Sequence, residues 1–351
     1  MGNQLNWPSN NQSLYEGLLT DAGPIGAAIG SFLGSKIASR GRRLAFFYGD
    51  IIVLIGSGVS MIENMASIWI GRFIYGFSCG IFSVLVPLFI NEVAPLELAG
   101  SLGAVNQFMV TFGSLVATLV ALPVPDPGSE AEATSNYWRI MFGVPVIVAA
   151  VQALLFFCVF RTETPRFLLS RGREESTRGI LGQLYGEANA SSALMGLNPK
   201  SSELSNLRGT KQDRQTEEDE VQVETGGGIE EVPLSHLCKP MYRRALFVGC
   251  ALSIFQQLSG INALIFYSSK IFSTGDDDDF QSAKEGTVIL NVFNVVSAMT
   301  AIFLLRCLGR KTLLLSGHFM MGVLLAIVGV FFKLEKTNLI KGFTYAYVCF
   351  F

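Results

Sequence analysis

The sequence predicts an all-α membrane protein, and three observations lead to that class. Only 15% of the 351 residues are charged, against about 25% in soluble domains, and mean hydropathy is +0.43. Apolar runs long enough to cross a bilayer recur along the chain. Basic residues concentrate in alternate connections between those runs, as the positive-inside rule expects.

The apolar runs predict eight complete membrane spans and the start of a ninth near residue 342. The eight are placed at 18–38, 44–62, 72–92, 97–122, 140–160, 245–269, 286–307 and 312–332. The first is the weakest, because Asp21 and Lys36 lie at its ends and Pro24 lies near its start. The second carries Asp50, for which a hydrogen-bonded structural role and proton transfer remain alternatives.

The spans fall into two groups separated by a long polar connection. Residues 1–160 are assigned to an N-terminal bundle and residues 245–351 to a C-terminal bundle. Residues 161–244 between them are assigned to the cytoplasm, as an amphipathic helix followed by a charged linker.

The orientation follows from the Lys and Arg residues. The connections after odd-numbered spans hold 19 of the 26 Lys and Arg residues. When the long segment 161–244 is left out, the two sides of the membrane hold equal numbers of them. The four basic residues at 36–43, against none at 1–21, therefore decide, and they place 36–43 in the cytoplasm.

Two short basic motifs indicate an internal repeat. "RGRRLAFF" (40–47) follows the first span and "LGRKTLLL" (308–315) follows the seventh. Taken singly, each could be an ordinary basic turn beside the membrane. Their separation by six spans favours a transporter built from two six-helix halves.

The stretch "FQQLSGINALIFY" (255–267) places polar side chains inside a run of 25 uncharged residues. Amides donate and accept hydrogen bonds without a charge to desolvate, which suits a neutral ligand rich in hydroxyl groups. A regular helix cannot direct Gln256, Gln257 and Asn262 at one ligand. We therefore predict a helix break near Ser259–Asn262, at Ser-Gly.

Several function classes are excluded by composition and motifs. The net charge of −2 predicts no nucleic-acid partner. We find no nucleophile–base pair, metal-ligand cluster or Gly-rich phosphate loop on a suitable element. The sequence therefore predicts neither an enzyme nor a protein with a cofactor or a metal.

Six stretches carry a family resemblance. They are "GSKIASRGRR" (34–43), "GRFIYGFSCGIFSVLVPLFINEVAP" (71–95), "LAGSLGAVNQ" (98–107), "ETPRFLL" (163–169), "QQLSGINALIFY" (256–267) and "LGRKTLLLSG" (308–317). The chain resembles the sugar porters of the major facilitator superfamily, the group that includes the GLUT-type glucose transporters. "YWRIMF" (137–142) and "ETPRFLL" are most similar to apicomplexan-type hexose transporters.

The resemblance implies the major facilitator fold of two six-helix bundles. The chain then looks like a fragment that covers helices two to ten of twelve. The implied function is hexose transport by alternating access, facilitative or coupled to protons, in a multi-pass protein of the plasma membrane. A sugar sensor on the same fold, a transporter of another polyol such as inositol, and a fragment that no longer transports remain alternatives.

The resemblance also implies roles for individual residues. It places five amides at the sugar: Gln107, Gln256, Gln257, Asn262 and Asn294. It assigns an outer aromatic gate to Phe266 and Tyr267, and the place of a proton-coupling partner to Arg72. For Asn291, outside this set, we prefer a role in joining helices.

A cytoplasmic charge network is implied in the same way. Its members would be Arg42, Arg43, Glu92, Glu163, Arg166, Arg310 and Lys311. Ala38, Ala99 and Arg306 stand where the family usually has charged or amide side chains. We therefore expect the N-terminal half of this network to be weakened.

Overall fold

In the computed structural model, the described residues are 12–95, 98–125, 136–187, 190, 193–194, 240–266, 268, 272, 280–334 and 337–350. They contain twelve helices and no strand. In chain order these are α1 (Gln12–Ala38), α2 (Arg42–Ser60), α3 (Met65–Val93), α4 (Ala99–Ala121), α5 (Tyr137–Cys158), α6 (Pro165–Ser170), α7 (Glu174–Tyr185), α8 (Pro240–Leu258), α9 (Ile261–Phe266), α10 (Phe280–Cys307), α11 (Arg310–Lys333) and α12 (Thr337–Phe350).

Six of these helices are long and apolar enough to cross a membrane, by length and composition. They are α2, α3, α4, α5, α10 and α11. The apolar parts of α8 and α12 are shorter, at Leu246–Leu258 and Leu339–Phe350. The weakest predicted span, α1, is helical over all 27 residues but is not among the six.

Three helices begin six or seven residues earlier than the hydropathy pattern predicts. We expected starts at residues 18, 72 and 286, whereas α1, α3 and α10 begin at Gln12, Met65 and Phe280. For α3 the cause is a cap, because the Asn64 side chain accepts a hydrogen bond from the Ala66 amide at 3.0 Å. Such a cap lies outside the apolar run and is therefore invisible to a hydropathy window.

The first group of helices is organised around α3, which contacts α1, α2, α4 and α6. The backbones of α1 and α3 approach closely, since Gly76 faces Gly23 and Gly80 faces Ala27. At the other face, Phe46 of α2 is 4% exposed and stacks on Phe156 of α5 with ring centroids 4.6 Å apart. Close backbone approach thus joins α1 to α3, and aromatic packing joins α2 to α5.

The second group consists of α9, α10, α11 and α12. Its core contains Ile261, Phe272, Leu290, Tyr347 and Val348. The Tyr347 hydroxyl donates a 2.7 Å hydrogen bond to the Ser259 carbonyl oxygen. This bond ties α12 to the segment between α8 and α9.

The main contact between the two groups, within the described residues, runs along α4 and α10. The Ser114 hydroxyl donates to the Asn291 amide oxygen at 2.9 Å, and the Asn291 amide nitrogen donates to the Thr118 hydroxyl at 3.1 Å. Lys284 adds a hydrogen bond to the Val124 carbonyl oxygen. The expected role of Asn291 in joining helices is confirmed.

Candidate functional site

The polar stretch that interrupts the sixth predicted span is a break between two helices. α8 ends at Leu258 and α9 begins at Ile261. Between them Gly260 adopts φ +80°, in the left-handed region that favours glycine. The Ser259 hydroxyl donates to the Gln256 carbonyl oxygen at 2.6 Å, satisfying one acceptor at the end of α8. The predicted break is confirmed.

The break brings two of the expected amides into contact. The Asn262 side-chain nitrogen donates a 2.7 Å hydrogen bond to the Gln257 side-chain oxygen. In an uninterrupted helix these residues would lie about 140° apart around the axis and could not meet. Both side chains are exposed, so their remaining donors and acceptors are open to a ligand.

Gln256 faces a different space from the Gln257–Asn262 pair. It lines a cavity of about 710 Å³ enclosed by α8, α10, α11 and α12. Ser253, Ser297, Thr300, Ser316 and His318 supply other polar groups there, and leucine is the most frequent apolar residue. Gln256 and the pair thus diverge at the end of α8.

The other expected sugar ligands lie on α4 and α10. Gln107 is exposed on α4, and Asn294 is 6% exposed on α10. In the part of the chain that the structure describes, no hydrogen bond connects either residue to the Gln257–Asn262 pair. The expected gate cannot be placed, because Tyr267 and the Phe266 side chain lie outside the described residues.

A charge network joins α2, α3 and the start of α6, at the end of the first group that we call the basic end (Lys36, Arg40, Arg42, Arg43 and Arg161). The Arg42 guanidinium binds the Glu92 carboxylate at 2.7 and 3.0 Å. Glu92 is 5% exposed and also accepts a 2.6 Å hydrogen bond from the Thr164 hydroxyl. Because these groups are buried, each carboxylate oxygen depends on its protein partners.

Glu163 completes the network from the other side. One of its carboxylate oxygens accepts the backbone amides of Arg42 and Arg43, at 3.0 and 3.2 Å. These amides belong to the first turn of α2, where a negative charge is favourable. Phe167 on α6 lies beneath the Arg42 guanidinium, 5.1 Å from ring centroid to the central carbon.

The weakening expected for this half of the network, from Ala38 and Ala99, stays a prediction. Ala38 has no polar side chain, yet its backbone carbonyl accepts a 2.9 Å hydrogen bond from the Arg42 guanidinium. Thr164, Phe167 and the Glu163 contacts with backbone amides supply further support. Backbone and hydroxyl groups thus contribute to this network beside its charged side chains.

In the described structure, Arg166 and Lys311 make no hydrogen bond or ion pair with this network, and the Arg310 side chain cannot be placed. Arg166 and Lys311 are exposed, and the Arg310 side chain lies outside the described residues.

Sequence reasoning missed Tyr185 of α7, whose hydroxyl donates to the Val93 carbonyl oxygen at the end of α3. Burial raises the pKa of Tyr185 above its usual value of 10.0.

Two ionisable residues lie deeper in the first group of helices. Arg72 on α3 donates a 3.1 Å hydrogen bond to the Leu19 carbonyl oxygen on α1 and lies over the Phe142 ring. Asp50 on α2 is 1% exposed, and neither carboxylate oxygen has a hydrogen-bond partner in the described structure. The hydrogen-bonded role considered for Asp50 is therefore not what the structure contains.

Apolar helices in two groups, a broken helix that presents paired amides, and a buried charge network are the features of a helical membrane protein with the major facilitator fold. The chain belongs to the sugar (and other) transporter family, whose model matches residues 3–351. It is a multi-pass membrane protein. The expected resemblance to the sugar porters is confirmed.

Curated relatives come from distant organisms. Hexose transporter 1 of Plasmodium yoelii yoelii is 29% identical over 84% of this chain, which covers 55% of that relative. Glucose transporter GlcP of Staphylococcus epidermidis is 31% identical over 91% of this chain and 64% of its own length. Plastidic glucose transporter 4 of Arabidopsis thaliana is 29% identical over 94% of this chain, which covers 54% of that relative. The chain thus spans between half and two thirds of the length of these relatives.

Solved structures support the same fold. The proton:xylose symporter XylE bound to 6-bromo-6-deoxy-D-glucose superposes with a TM-score of 0.79 at 25% identity, over 99% of this chain and 71% of that one. A partially occluded, inward-open conformation of XylE from E. coli superposes with a TM-score of 0.73 at 24% identity. The match covers 96% of this chain and 73% of that one. The expected major facilitator fold is confirmed.

Proposed function

We propose that this protein carries a neutral hexose across a membrane by alternating access. The observation that carries the proposal is the break between α8 and α9, which pairs the amides of Gln257 and Asn262. Relatives named as hexose and glucose transporters support the substrate class. A XylE structure holding a glucose derivative supports sugar binding on this fold.

The chemistry of the paired amides suits a sugar hydroxyl group. Asn262 donates to Gln257, so each of these amides has one hydrogen-bond partner. A hydroxyl group can accept from Asn262 and donate to Gln257 at once, replacing that bond with two. Gln107, Gln256 and Asn294 are proposed to contact the same sugar when the two helix groups close around it.

Alternating access needs a contact that forms in one state and opens in another. We assign this role to the Arg42–Glu92–Glu163 network, which links three helices at the basic end. Arg166, Arg310 and Lys311 are proposed to join it in one conformation, and Phe266 and Tyr267 to gate the opposite side. Arg72 is the proposed partner for a transported proton, if transport is proton-coupled.

The plasma membrane is the proposed location, because external hexose enters a cell there. A fluorescent fusion of the full chain, observed beside markers of the plasma membrane and organelles, tests this directly. Labelling confined to an organelle would contradict the location without affecting the transport proposal.

Uptake of labelled glucose by proteoliposomes tests the function. Gln257→Ala and Asn262→Ala should each raise KM about tenfold, the equivalent of roughly 1.4 kcal/mol or one lost hydrogen bond. Gln183→Ala, an exposed amide on α7, is the matched control and should transport like wild type. Unchanged uptake in both site variants would refute the site.

Glucose binding without any uptake would favour the sugar sensor over the transporter. A protonophore distinguishes proton-coupled from facilitative transport, because it abolishes only the former.

A further inference from the structure

An apolar groove runs between α2 and α5 at the basic end. It encloses about 320 Å³, and its walls are Leu44, Phe47, Ala153, Phe156 and Phe157. Among the described residues that line it, the polar ones are Arg43, where α2 begins, and Glu163, shortly after α5 ends. Phe47 and Phe157 are 49% and 70% exposed, so the groove opens away from the protein core.

The floor of this groove is a fixed part of the core. Phe156 stacks on the buried Phe46 at 4.6 Å and meets Phe89 edge-on at 6.1 Å. These aromatic contacts hold Phe156 in place, whereas Phe47 and Phe157 can adjust to an occupant. In a multi-pass protein, an exposed apolar face of this kind contacts lipid acyl chains.

The charges at the end of the groove do not cancel. The Arg43 guanidinium donates to the Arg161 carbonyl oxygen at 3.0 Å and has no carboxylate within ion-pair distance in the described structure. The Glu163 carboxylate instead accepts the backbone amides of Arg42 and Arg43. Exposed Arg161 and Arg40 add further positive charge nearby.

We propose that this groove binds one anionic phospholipid from the leaflet at the basic end. Its acyl chain lies along Phe47 and Phe157, and its phosphate meets the unpaired guanidinium of Arg43. An anionic headgroup is favoured over a zwitterionic one, because the latter brings a cation beside Arg43 and Arg161. A sugar is disfavoured, since Leu44, Phe47, Ala153, Phe156 and Phe157 offer a polyol no hydrogen-bond partners and only the end at Arg43 and Glu163 does so among the described lining residues. The proposal does not depend on transport activity.

The experiment reconstitutes the full chain in nanodiscs of phosphatidylcholine with a minor fraction of phosphatidylglycerol. Native mass spectrometry then counts the lipids retained after release. Wild type should retain phosphatidylglycerol in excess of its share of the bilayer. Ala153→Trp fills the groove and should abolish that excess, while Val151→Trp, on the exposed side of the same helix, should preserve it.

The headgroup is tested separately from the groove. Arg43→Gln should lower retention of phosphatidylglycerol about fivefold, which corresponds to roughly 1 kcal/mol for one basic residue. Arg173→Gln, exposed on the linker before α7, should have no effect. Equal retention by the two tryptophan variants would overturn the site, and equal retention of both lipids would overturn headgroup recognition. Should Ala153→Trp fail to fold, Phe157→Ser removes one exposed wall and must reduce the excess.

Discussion

The Asn262 side chain donates a 2.7 Å hydrogen bond to the Gln257 side chain across the break between α8 and α9. The two residues meet because Gly260, at φ +80°, turns the chain between them. The Tyr347 hydroxyl holds the same segment through the Ser259 carbonyl oxygen. A backbone conformation thus sets the position of two side chains that we assign to the sugar.

Gly260→Ala should therefore weaken sugar binding without any steric clash. A Cβ at Gly260 meets nothing within 4 Å, so the cost is the left-handed conformation alone, about 1–2 kcal/mol. The thermal unfolding temperature of the purified protein and its affinity for glucose should both fall. Gly249→Ala, also unobstructed but within regular α8, should instead gain up to about 1 kcal/mol of stability. Identical behaviour of the two variants would contradict the importance of the break.

Glu92→Gln should destabilise the protein by roughly 3–5 kcal/mol, because it leaves the Arg42 charge buried without its partner. The Glu92 side chain is 2% exposed and that of Arg42 is 16% exposed. The control is Glu63→Gln, which breaks the exposed pair with Arg139 and should cost about 0–1 kcal/mol. Denaturant unfolding measures both. A loss equal to that of the control would show that the Arg42–Glu92 pair does not hold the basic end together.

Much of the broken helix could be predicted from sequence. Three amides and a Ser-Gly pair inside a long uncharged run indicate a break, and the break lies where the pattern places it. Which amides meet could not be predicted, because it depends on how far the chain turns at Gly260. The structure pairs Gln257 with Asn262 and leaves Gln256 facing another cavity.

The charge network shows where sequence patterns are insufficient. Arg42, Glu92 and Glu163 were implied by the family resemblance, but the contact between Arg42 and Ala38 was not, since it uses a backbone carbonyl. Thr164 precedes a proline at the start of α6 and has the residue type of a helix cap. Its hydroxyl makes no cap and donates to Glu92 instead, a contact between residues 72 positions apart.

Ser114 and Asn291 should couple energetically across the boundary between α4 and α10. Hydrogen bonds between membrane helices average about 0.6 kcal/mol and reach about 1.7 kcal/mol. A double-mutant cycle with Ser114→Ala and Asn291→Ala should give a coupling energy in that range. A second cycle replaces Asn291→Ala with Thr300→Ala, an exposed hydroxyl bonded within its own helix, and should give none. No coupling in the first cycle would mean that packing alone joins the two groups.

Gly80→Ala should be among the most damaging single substitutions in the first group of helices. The added Cβ would overlap the Ala27 carbonyl oxygen, so α1 and α3 would have to separate. We expect a loss of at least about 1–3 kcal/mol in thermal or denaturant unfolding. Gly113→Ala on α4 meets nothing within 4 Å and should be neutral or slightly stabilising. Tolerance of Gly80→Ala would contradict the close approach of the two backbones.

Asp50→Val should stabilise the protein while removing an acidic group from α2. Asp50 is 1% exposed and its carboxylate oxygens have no hydrogen-bond partner in the described structure, so an apolar residue should gain about 1–3 kcal/mol. Asp21→Val, at an exposed position on α1, is the control and should change stability by less than about 0.5 kcal/mol. A destabilised Asp50→Val would mean that the carboxyl group has a partner the structure does not contain. Higher stability with lower glucose uptake would instead identify Asp50 as a residue kept for transport at the expense of folding.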